Sequence, residues 1–304
     1  MKATAILSLI PAVSAFCHHG TSLFKRAEGT YGFDAMNGPL NWHSLTADNA
    51  ACALGKNQSP INVLETNTKQ VQGSSIIFRP ANYADGAELE NLNGVLEVRA
   101  NGTMYNGGKN YTLRQFHFHT PSEHRLNGEH YPLEVHFVWE SQAGNGTSSL
   151  AVVGFLIEVA ETTDPILASI FKNVDKVTAV GAHAATDPLD FTSLSSHLAK
   201  STIYQYSGSL TTPPCTESIA WNVVGTPLNI DITTYKKAKG IMKFNSRYTQ
   251  NTPGQMNLLE NAMVSLQKIV GDQVAKHGLE AEDADQVPER PCKKGKKHDH
   301  DRQD

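Results

Sequence analysis

Two histidines separated by a single residue, His117 and His119, place the strongest constraint on how this chain can fold. They lie in residues 111–119, where aromatic and aliphatic side chains alternate with polar ones. Successive side chains of a strand point to opposite faces, so the two imidazoles share one face. A third histidine, His136, lies in residues 133–139, which are rich in Val, Phe and Trp. Two neighbouring strands would therefore bring three imidazoles into one cleft.

Three imidazoles leave the fourth tetrahedral position of a zinc ion open, which is typical of a catalytic rather than a structural site. The pair alone is a weak signal, because the chain has 13 His residues and a second such pair, His298 and His300, has no strand pattern around it. Histidines that are simply hydrogen-bonded within a sheet are the alternative. Gln115 and Glu134 favour zinc, because each lies two residues before a candidate ligand and could fix its tautomer.

The residues around these histidines resemble the α-class carbonic anhydrases, and secreted fungal members in particular. The resemblance runs in order from Tyr31 to beyond Arg247. Its motifs are Tyr31-Gly32, Asn37-Gly38-Pro39, Trp42, Gln58-Ser59-Pro60-Ile61-Asn62, Gln115-Phe116-His117-Phe118-His119, Ser122-Glu123-His124, Glu134-Val135-His136, Gly208-Ser209-Leu210-Thr211-Thr212-Pro213-Pro214, Trp221 and Phe244-Asn245-Ser246-Arg247. A set of this size is highly specific.

The resemblance implies a mainly β (α+β) fold, in which a large, twisted, mostly antiparallel central sheet is surrounded by short peripheral helices. The sequence agrees, because Gly, Pro and Asn turns separate six β-rich runs, at residues 74–79, 95–99, 111–119, 133–139, 150–159 and 219–224. Helical patterns cover residues 164–173 and 254–270. The apolar stripe of the second pattern is expected to be core: Met256, Leu259, Met263, Leu266 and Val270.

The same resemblance implies a carbonate dehydratase with Zn²⁺ as cofactor and His117, His119 and His136 as its ligands. A zinc-bound hydroxide, formed because the metal lowers the pKa of its water, would convert CO₂ to bicarbonate and a proton. The matching catalytic residues are Thr211 and Glu123. If Glu123 takes the single hydroxyl proton of Thr211, that oxygen can only accept from the hydroxide and so orients it. Without the resemblance, a plain turn and a solvated glutamate are the favoured interpretation.

The substrate is small, apolar and uncharged, so its site needs an apolar wall beside the metal. The family's pocket positions are occupied here by Val138, Val152, Leu210, Thr212, Ile219 and Trp221. Plain core packing is the alternative for the apolar members of this set.

The proton-transfer position departs from the pattern of fast family members. Those members carry a histidine after an Asn-Gly pair, whereas this chain has Asn93-Gly94-Val95. Because valine cannot carry a proton, we predict that proton release limits turnover and that external buffer accelerates it. His130 and His43 are alternative carriers.

The first 15 residues have the pattern of a secretory signal peptide: Lys2, an apolar stretch and the small-residue cleavage site Val13-Ser14-Ala15. A buried amino-terminal helix is the alternative. The Lys25-Arg26 pair predicts a dibasic processing site that would release residues 16–26 as a propeptide. Residues 27–280 are expected to form one catalytic domain, and composition predicts a disordered charged tail at residues 281–304. The protein is therefore expected to be extracellular.

Four cysteines in a secreted chain allow up to two disulfides. By resemblance Cys52 pairs with Cys215, which leaves Cys17 and Cys292. Loss of the propeptide would leave Cys292 able to cross-link two chains, so monomer and homodimer both remain open. Sequons predict glycosylation at three asparagines, Asn101, Asn110 and Asn145.

Composition favours neither nucleic-acid binding nor a membrane-spanning segment. The net charge of −4 gives no indication of nucleic-acid binding, and no apolar run approaches the 18 residues of a membrane span. Two other functions stay open: a catalytically weak carbonic anhydrase-like binding protein, and a zinc esterase. A binding protein of this kind would be expected to lack a zinc ligand, whereas all three histidines are in this sequence. The sequence contains neither a nucleophile elbow nor a His-Glu-x-x-His motif, so it does not favour a dedicated hydrolase.

Overall fold

The computed structural model describes residues 31–142 and 148–277. The predicted signal peptide, propeptide and charged tail lie outside these residues, as does Asn145. The strands are β1 (Asn62–Val63), β2 (Lys69–Gln72), β3 (Ile77–Pro80), β4 (Glu88–Asn91), β5 (Leu96–Arg99), β6 (Gly102–Asn106), β7 (Lys109–His119), β8 (Arg125–Leu126), β9 (Glu129–His130), β10 (Leu133–Gln142), β11 (Ser148–Ala160), β12 (His183–Ala185), β13 (Thr202–Ser209) and β14 (Glu217–Asp231). The helices are α1 (Trp42–Leu45), α2 (Ala51–Leu54), α3 (Pro165–Phe171), α4 (Thr192–Lys200), α5 (Ile232–Met242) and α6 (Leu258–His277).

Within the described chain, eleven strands form one large sheet in the order β12-β4-β5-β7-β10-β11-β14-β13-β2, with β6 paired to β7 and β3 to β6. Its pairs are antiparallel except β11 with β14. Strands β1, β8 and β9 form a small second sheet. Each of the six β-rich runs overlaps a strand, and the predicted mainly β fold is confirmed.

The central strands β7, β10 and β11 are buried on both faces but carry different side chains on each. Phe116, Phe118 and Phe137 pack into the larger hydrophobic core on one face. The alternate residues of β7 and β10, His117 and His136 among them, take the other face because strand side chains alternate. The sheet thus separates an aromatic core from the polar cluster.

The helices between the strands are short and were only partly predicted. Helix α3 lies within the predicted pattern at residues 164–173, whereas α4 and α5 were not predicted. Helix α5 begins after Asp231, whose carboxylate accepts the backbone N–H groups of Thr233 and Thr234 as an N-cap.

The predicted helix at residues 254–270 is present as α6, but the expectation that its apolar stripe is core is wrong. Met263, Leu266 and Val270 are 54%, 62% and 60% exposed. The chain separates into two compact units between Asn261 and Ala262, and most of α6 belongs to the second. Periodicity determines which side chains share a helix face, but not what covers that face. None of the helices in the described residues has the length and hydropathy needed to cross a bilayer.

The predicted disulfide between Cys52 and Cys215 is confirmed and joins positions 163 residues apart. Both cysteines are buried in a small cluster with Tyr31 and Trp42. The bond ties the segment before β1 to the loop that precedes β14.

Candidate active site

The three histidines singled out from the sequence converge on one face of the large sheet. In the antiparallel register of β7 and β10, His117 lies opposite His136, and His119 lies opposite Glu134. All three imidazoles are buried, their ring centroids are 4.5–5.4 Å apart, and one nitrogen from each lies within 4.8 Å of the others. The structure therefore brings them within reach of a single ion.

One nitrogen of each ring is engaged by the surrounding protein. His117 Nδ1 lies 2.8 Å from Gln115 Oε1, and His136 Nε2 lies 2.8 Å from Glu134 Oε1. His119 Nδ1 lies 2.9 Å from the backbone oxygen of Asn245. Gln115 and Glu134 therefore lie at hydrogen-bond distance from the rings that they were predicted to orient. The role of Asn245 was missed, because it is 126 residues away along the chain.

The donor set and its protonation suit a divalent metal such as zinc. Burial lowers the pKa of His119 to about 4 and also lowers the pKa of His136, so both rings are neutral at pH 7. His119 Nε2 is buried and has no hydrogen-bond partner. A metal ligand must be deprotonated, and an orphaned buried nitrogen is costly unless something binds it.

Glu134 connects this cluster to a buried chain of hydrogen bonds. Its carboxylate accepts the backbone N–H groups of Glu123 and His124 at 2.8 Å, and lies 2.7 Å from His124 Nδ1. Burial by itself would raise the pKa of Glu134, but His124 and His136 outweigh burial and hold it well below its usual range. His124 Nε2 lies 2.6 Å from the hydroxyl of Tyr206. Sequence reasoning missed Tyr206 because no local pattern marks it.

Glu123 lies beside the imidazoles and is fully buried. Its Oε2 is 3.6 Å from His119 Nε2 and 3.9 Å from His136 Nδ1. Burial raises the pKa of Glu123 to about 7, while His136 and the hydroxyl of Thr211 act in the opposite direction. Thr211 is therefore near this carboxyl group, although Oε2 has no partner within ordinary hydrogen-bond distance. The structure places both predicted catalytic residues at the histidine cluster.

A buried arginine holds Glu123 from the other side. The backbone N–H of Arg247 donates to Glu123 Oε1 at 2.8 Å. Its guanidinium donates to the side chain of Gln58 at 2.9 Å and to the backbone oxygens of Ser59 and Cys52 at 2.8 and 3.0 Å. Burial lowers the pKa of Arg247 to about 10, so it is still charged at neutral pH.

The predicted pocket residues lie together on the histidine face. Five of them belong to one hydrophobic cluster: Val138, Val152, Leu210, Ile219 and Trp221. The sixth, Thr212, is buried in the same loop as Thr211. The ring of Trp221 is 4.8 Å from that of His136, and its Nε1 donates to the backbone oxygen of Ser209 at 2.9 Å. The apolar wall is thus adjacent to the imidazoles.

Two further residues at this face were not predicted. A Cβ added at Gly154, which pairs with His136, would lie 3.0 Å from Glu134 Oε1, so a larger residue would require that carboxylate to shift by a few tenths of an ångström. Glu97 is buried opposite His117, and burial raises its pKa to about 8. A single glycine or glutamate in a strand carries little signal in one sequence.

The proton-transfer candidates lie in different settings. Val95 is buried immediately before β5, in a loop whose Gly94 oxygen accepts from Asn245 Nδ2 at 3.0 Å. His130 is exposed and accepts from Arg125 Nε at 2.8 Å. His43 is exposed on α1.

Other His and acidic clusters among the described residues are less suited to catalysis. One, formed by Glu88, Glu90 and His183, lies at the β4–β12 edge with Glu88 and His183 exposed. The other overlaps the buried site and includes the hydrogen-bonded pair His124 and Glu134.

A twisted, mostly antiparallel sheet with three imidazoles converging on one face is the architecture of the α-class carbonic anhydrases. The chain belongs to the eukaryotic-type carbonic anhydrase family, whose model matches residues 37–277. Carbonic anhydrase from Neisseria gonorrhoeae is 32% identical over 233 residues, which cover 76% of this chain and 85% of that protein.

Solved structures agree with this family. A fungal α-carbonic anhydrase from Aspergillus oryzae is 43% identical with a TM-score of 0.72, and the match covers 77% of this chain and 98% of that one. Dioscorin complexed with ascorbate is 28% identical with a TM-score of 0.60, covering 75% and 96% of the two chains.

Proposed function

We propose that this chain catalyses the reversible hydration of CO₂ to bicarbonate and a proton, with Zn²⁺ held by His117, His119 and His136. The convergence of three buried imidazoles, each with one ring nitrogen engaged by the protein, carries the proposal. The contacts assign Nε2 of His117 and His119 and Nδ1 of His136 as the metal-binding atoms. When bound, zinc supplies Lewis acidity that makes a coordinated water acidic enough to act as a nucleophile.

Thr211 and Glu123 would orient the nucleophile. A threonine hydroxyl has one proton, and Glu123 Oε2 is the buried acceptor to which we assign it. The oxygen of Thr211 can then only accept, which selects a ligand that has a proton to give. A nearby dication would lower the pKa of Glu123 below the value of about 7 that burial sets, and so favour its ionised form.

The adjacent cluster of Val138, Val152, Leu210, Ile219 and Trp221 would hold the substrate. CO₂ has no charge and no hydrogen-bond donor, so its transfer from water to an apolar wall carries only a small desolvation cost. Bicarbonate is charged, and the same wall binds it poorly, which favours its release.

Metal content and CO₂ hydration of the purified chain test this proposal together. We expect about one zinc per chain and a stopped-flow hydration rate far above that of buffer. His119→Ala should lose most of the metal and the activity, whereas His183→Ala, which changes an exposed histidine, should retain both. A full complement of zinc without hydration above the buffer rate would overturn the function but not the metal site.

The two alternative functions have distinct outcomes in the same experiment. Dioscorin shares this fold and is solved with bound ascorbate, so the fold by itself leaves a binding role open. A binding protein would give no hydration in any variant. A dedicated esterase would hydrolyse an activated ester efficiently and hydrate CO₂ slowly. The complete histidine set argues against the first alternative.

We also infer that the protein is secreted. A disulfide is typical of oxidising compartments, and the first 15 residues have the pattern of a signal peptide. Amino-terminal sequencing of the protein from medium should begin after Ala15, or after Arg26 if the propeptide is removed. Asn101 and Asn110 are exposed, as glycosylation requires, and a mass shift removed by an N-glycosidase would test both.

A further inference from the structure

A second group of metal-binding side chains lies at the β4–β12 edge of the large sheet. Glu88 and Glu90 are two residues apart on β4 and therefore share one face. His183 lies directly opposite Glu90 in the antiparallel register of β4 and β12. One donor atom from each of the three lies within 4.8 Å of the others. Two carboxylates and an imidazole are thus presented together by two strands that are distant along the chain.

The separations between these donors are close to those of ligands on one ion. Zinc binds imidazole nitrogen and carboxylate oxygen at about 2.0–2.2 Å, so two tetrahedral ligands lie roughly 3.3–3.6 Å apart. Glu88 and His183 are exposed and Glu90 is half-buried, so their side chains can make the remaining shift at little cost. An open pocket lined by Asp85, Glu88 and His183 leaves room for water to complete the coordination shell.

The same face carries several carboxyl groups close together. Glu97 on β5 lies directly opposite Glu90, and like charges in that position destabilise a sheet. Glu97 is 3% exposed, and its Oε2 has no hydrogen-bond partner. Burial raises the pKa of Glu97, Arg99 lowers it, and Glu90 raises it further, so the two carboxyl groups are near enough to repel. A dication held by Glu90 would relieve this repulsion.

We propose that Glu88, Glu90 and His183 bind a second divalent transition metal, for which Zn²⁺ is the probe. The imidazole favours zinc, copper or nickel over calcium and magnesium, which prefer oxygen ligands. Because water completes an open three-ligand site, we expect a Kd on the order of 1–100 µM, far weaker than at a closed structural site. The chain as purified therefore keeps only the zinc at the buried imidazoles. The second ion would join β12, a strand of three residues at the end of the sheet order, to β4.

Zinc titration of the mature chain against a chromophoric chelator tests this proposal. We expect a second equivalent to bind beyond the tightly held one. Glu90→Gln and His183→Ala should each weaken the second equivalent at least about ten-fold, because each removes a ligand. Glu158→Gln, at an exposed position on β11, is the matched control and should bind both equivalents like the wild type. Far-UV circular dichroism shows that each variant folds, so the test does not depend on CO₂ hydration.

The His298-Asp299-His300 sequence is a competing source of zinc ligands, so the titration is repeated in a His298→Ala/His300→Ala background. Persistence of the second equivalent there supports the edge site. Its loss in that background would assign the metal to the tail and overturn the proposal. A second equivalent that survives in both Glu90→Gln and His183→Ala would overturn it as well.

Hydrogen exchange locates the second ion independently of its stoichiometry. Amides of β12 should exchange more slowly when zinc is added to the wild type, because the ion ties this short edge strand to β4. His183→Ala should abolish that protection. Zinc binding that leaves exchange at β12 unchanged would contradict the site, and calcium binding as tight as zinc binding would exclude the imidazole as a ligand.

Discussion

The backbone N–H of Arg247 donates to Glu123 Oε1 at 2.8 Å, across 124 residues of chain. This contact fixes one carboxylate oxygen of Glu123 and leaves the other beside His119 and Thr211. Arg247 thus positions the carboxylate of Glu123, and its own guanidinium is hydrogen-bonded to the side chain of Gln58.

Glu123→Gln should lower kcat/KM for CO₂ hydration by about 100-fold, because a neutral amide cannot take the proton of Thr211 and the nucleophile loses its orientation. Zinc content should not change. Glu158→Gln, at an exposed position, is the matched control. Wild-type hydration kinetics in Glu123→Gln would show that this carboxylate has no part in orientation.

Gln115→Ala should weaken zinc binding by about 10–100-fold, because His117 loses the partner that fixes its ring. Competition with a chromophoric chelator measures this affinity directly. Gln70→Ala, on the exposed strand β2, should bind zinc like the wild type. Equal affinities in the two variants would mean that the contact at 2.8 Å does not position the ligand.

Asp231→Ala should lower Tm by about 2–4 °C at pH 7, because α5 loses its N-cap. Hydrogen bonds from Thr163 and Thr234 hold the pKa of Asp231 well below its usual range. A depressed carboxyl pKa contributes stability above the unfolded value near 4, and this contribution is lost as pH falls through the folded value. The difference in Tm should therefore narrow as pH is lowered below about 4, while Asp85→Ala shows little effect at any pH. A difference that widens with acid would contradict this assignment.

Turnover should rise at least about two-fold as imidazole-type buffer increases at constant ionic strength, because Val95 cannot carry a proton from the site. Stopped-flow hydration at saturating CO₂ measures this dependence. Val95 is 2% exposed, so Val95→His is also expected to lower stability, and the wild-type buffer titration carries the test. A turnover independent of buffer would point to an internal carrier.

Much of the site could be predicted from the chain because strand alternation is a local property. His117 and His119 share a face whatever the rest of the protein does, and the same holds for Glu134 and His136. The resemblance then placed Glu123 and Thr211, and the structure brings both to the histidines.

Other parts of the site have no local signature. Asn245 and Arg247 belong to a motif of the family resemblance, but their contacts with the cluster were not predicted because they come from a distant segment. Tyr206 also comes from a distant segment, and no local pattern marks it. Gly154 lies against the carboxylate of Glu134 on the neighbouring strand, a contact that its own sequence context does not reveal.

The sequence by itself determined which side chains share a face, along β7 and β10 and equally along the stripe of α6, since periodicity follows from backbone geometry alone. Only the tertiary structure decided what lies opposite each face. His119 meets Asn245 and Glu123, whereas Leu266 meets solvent. Burial is a property of how segments pack together, and the helical period is the same whether a stripe is covered or exposed.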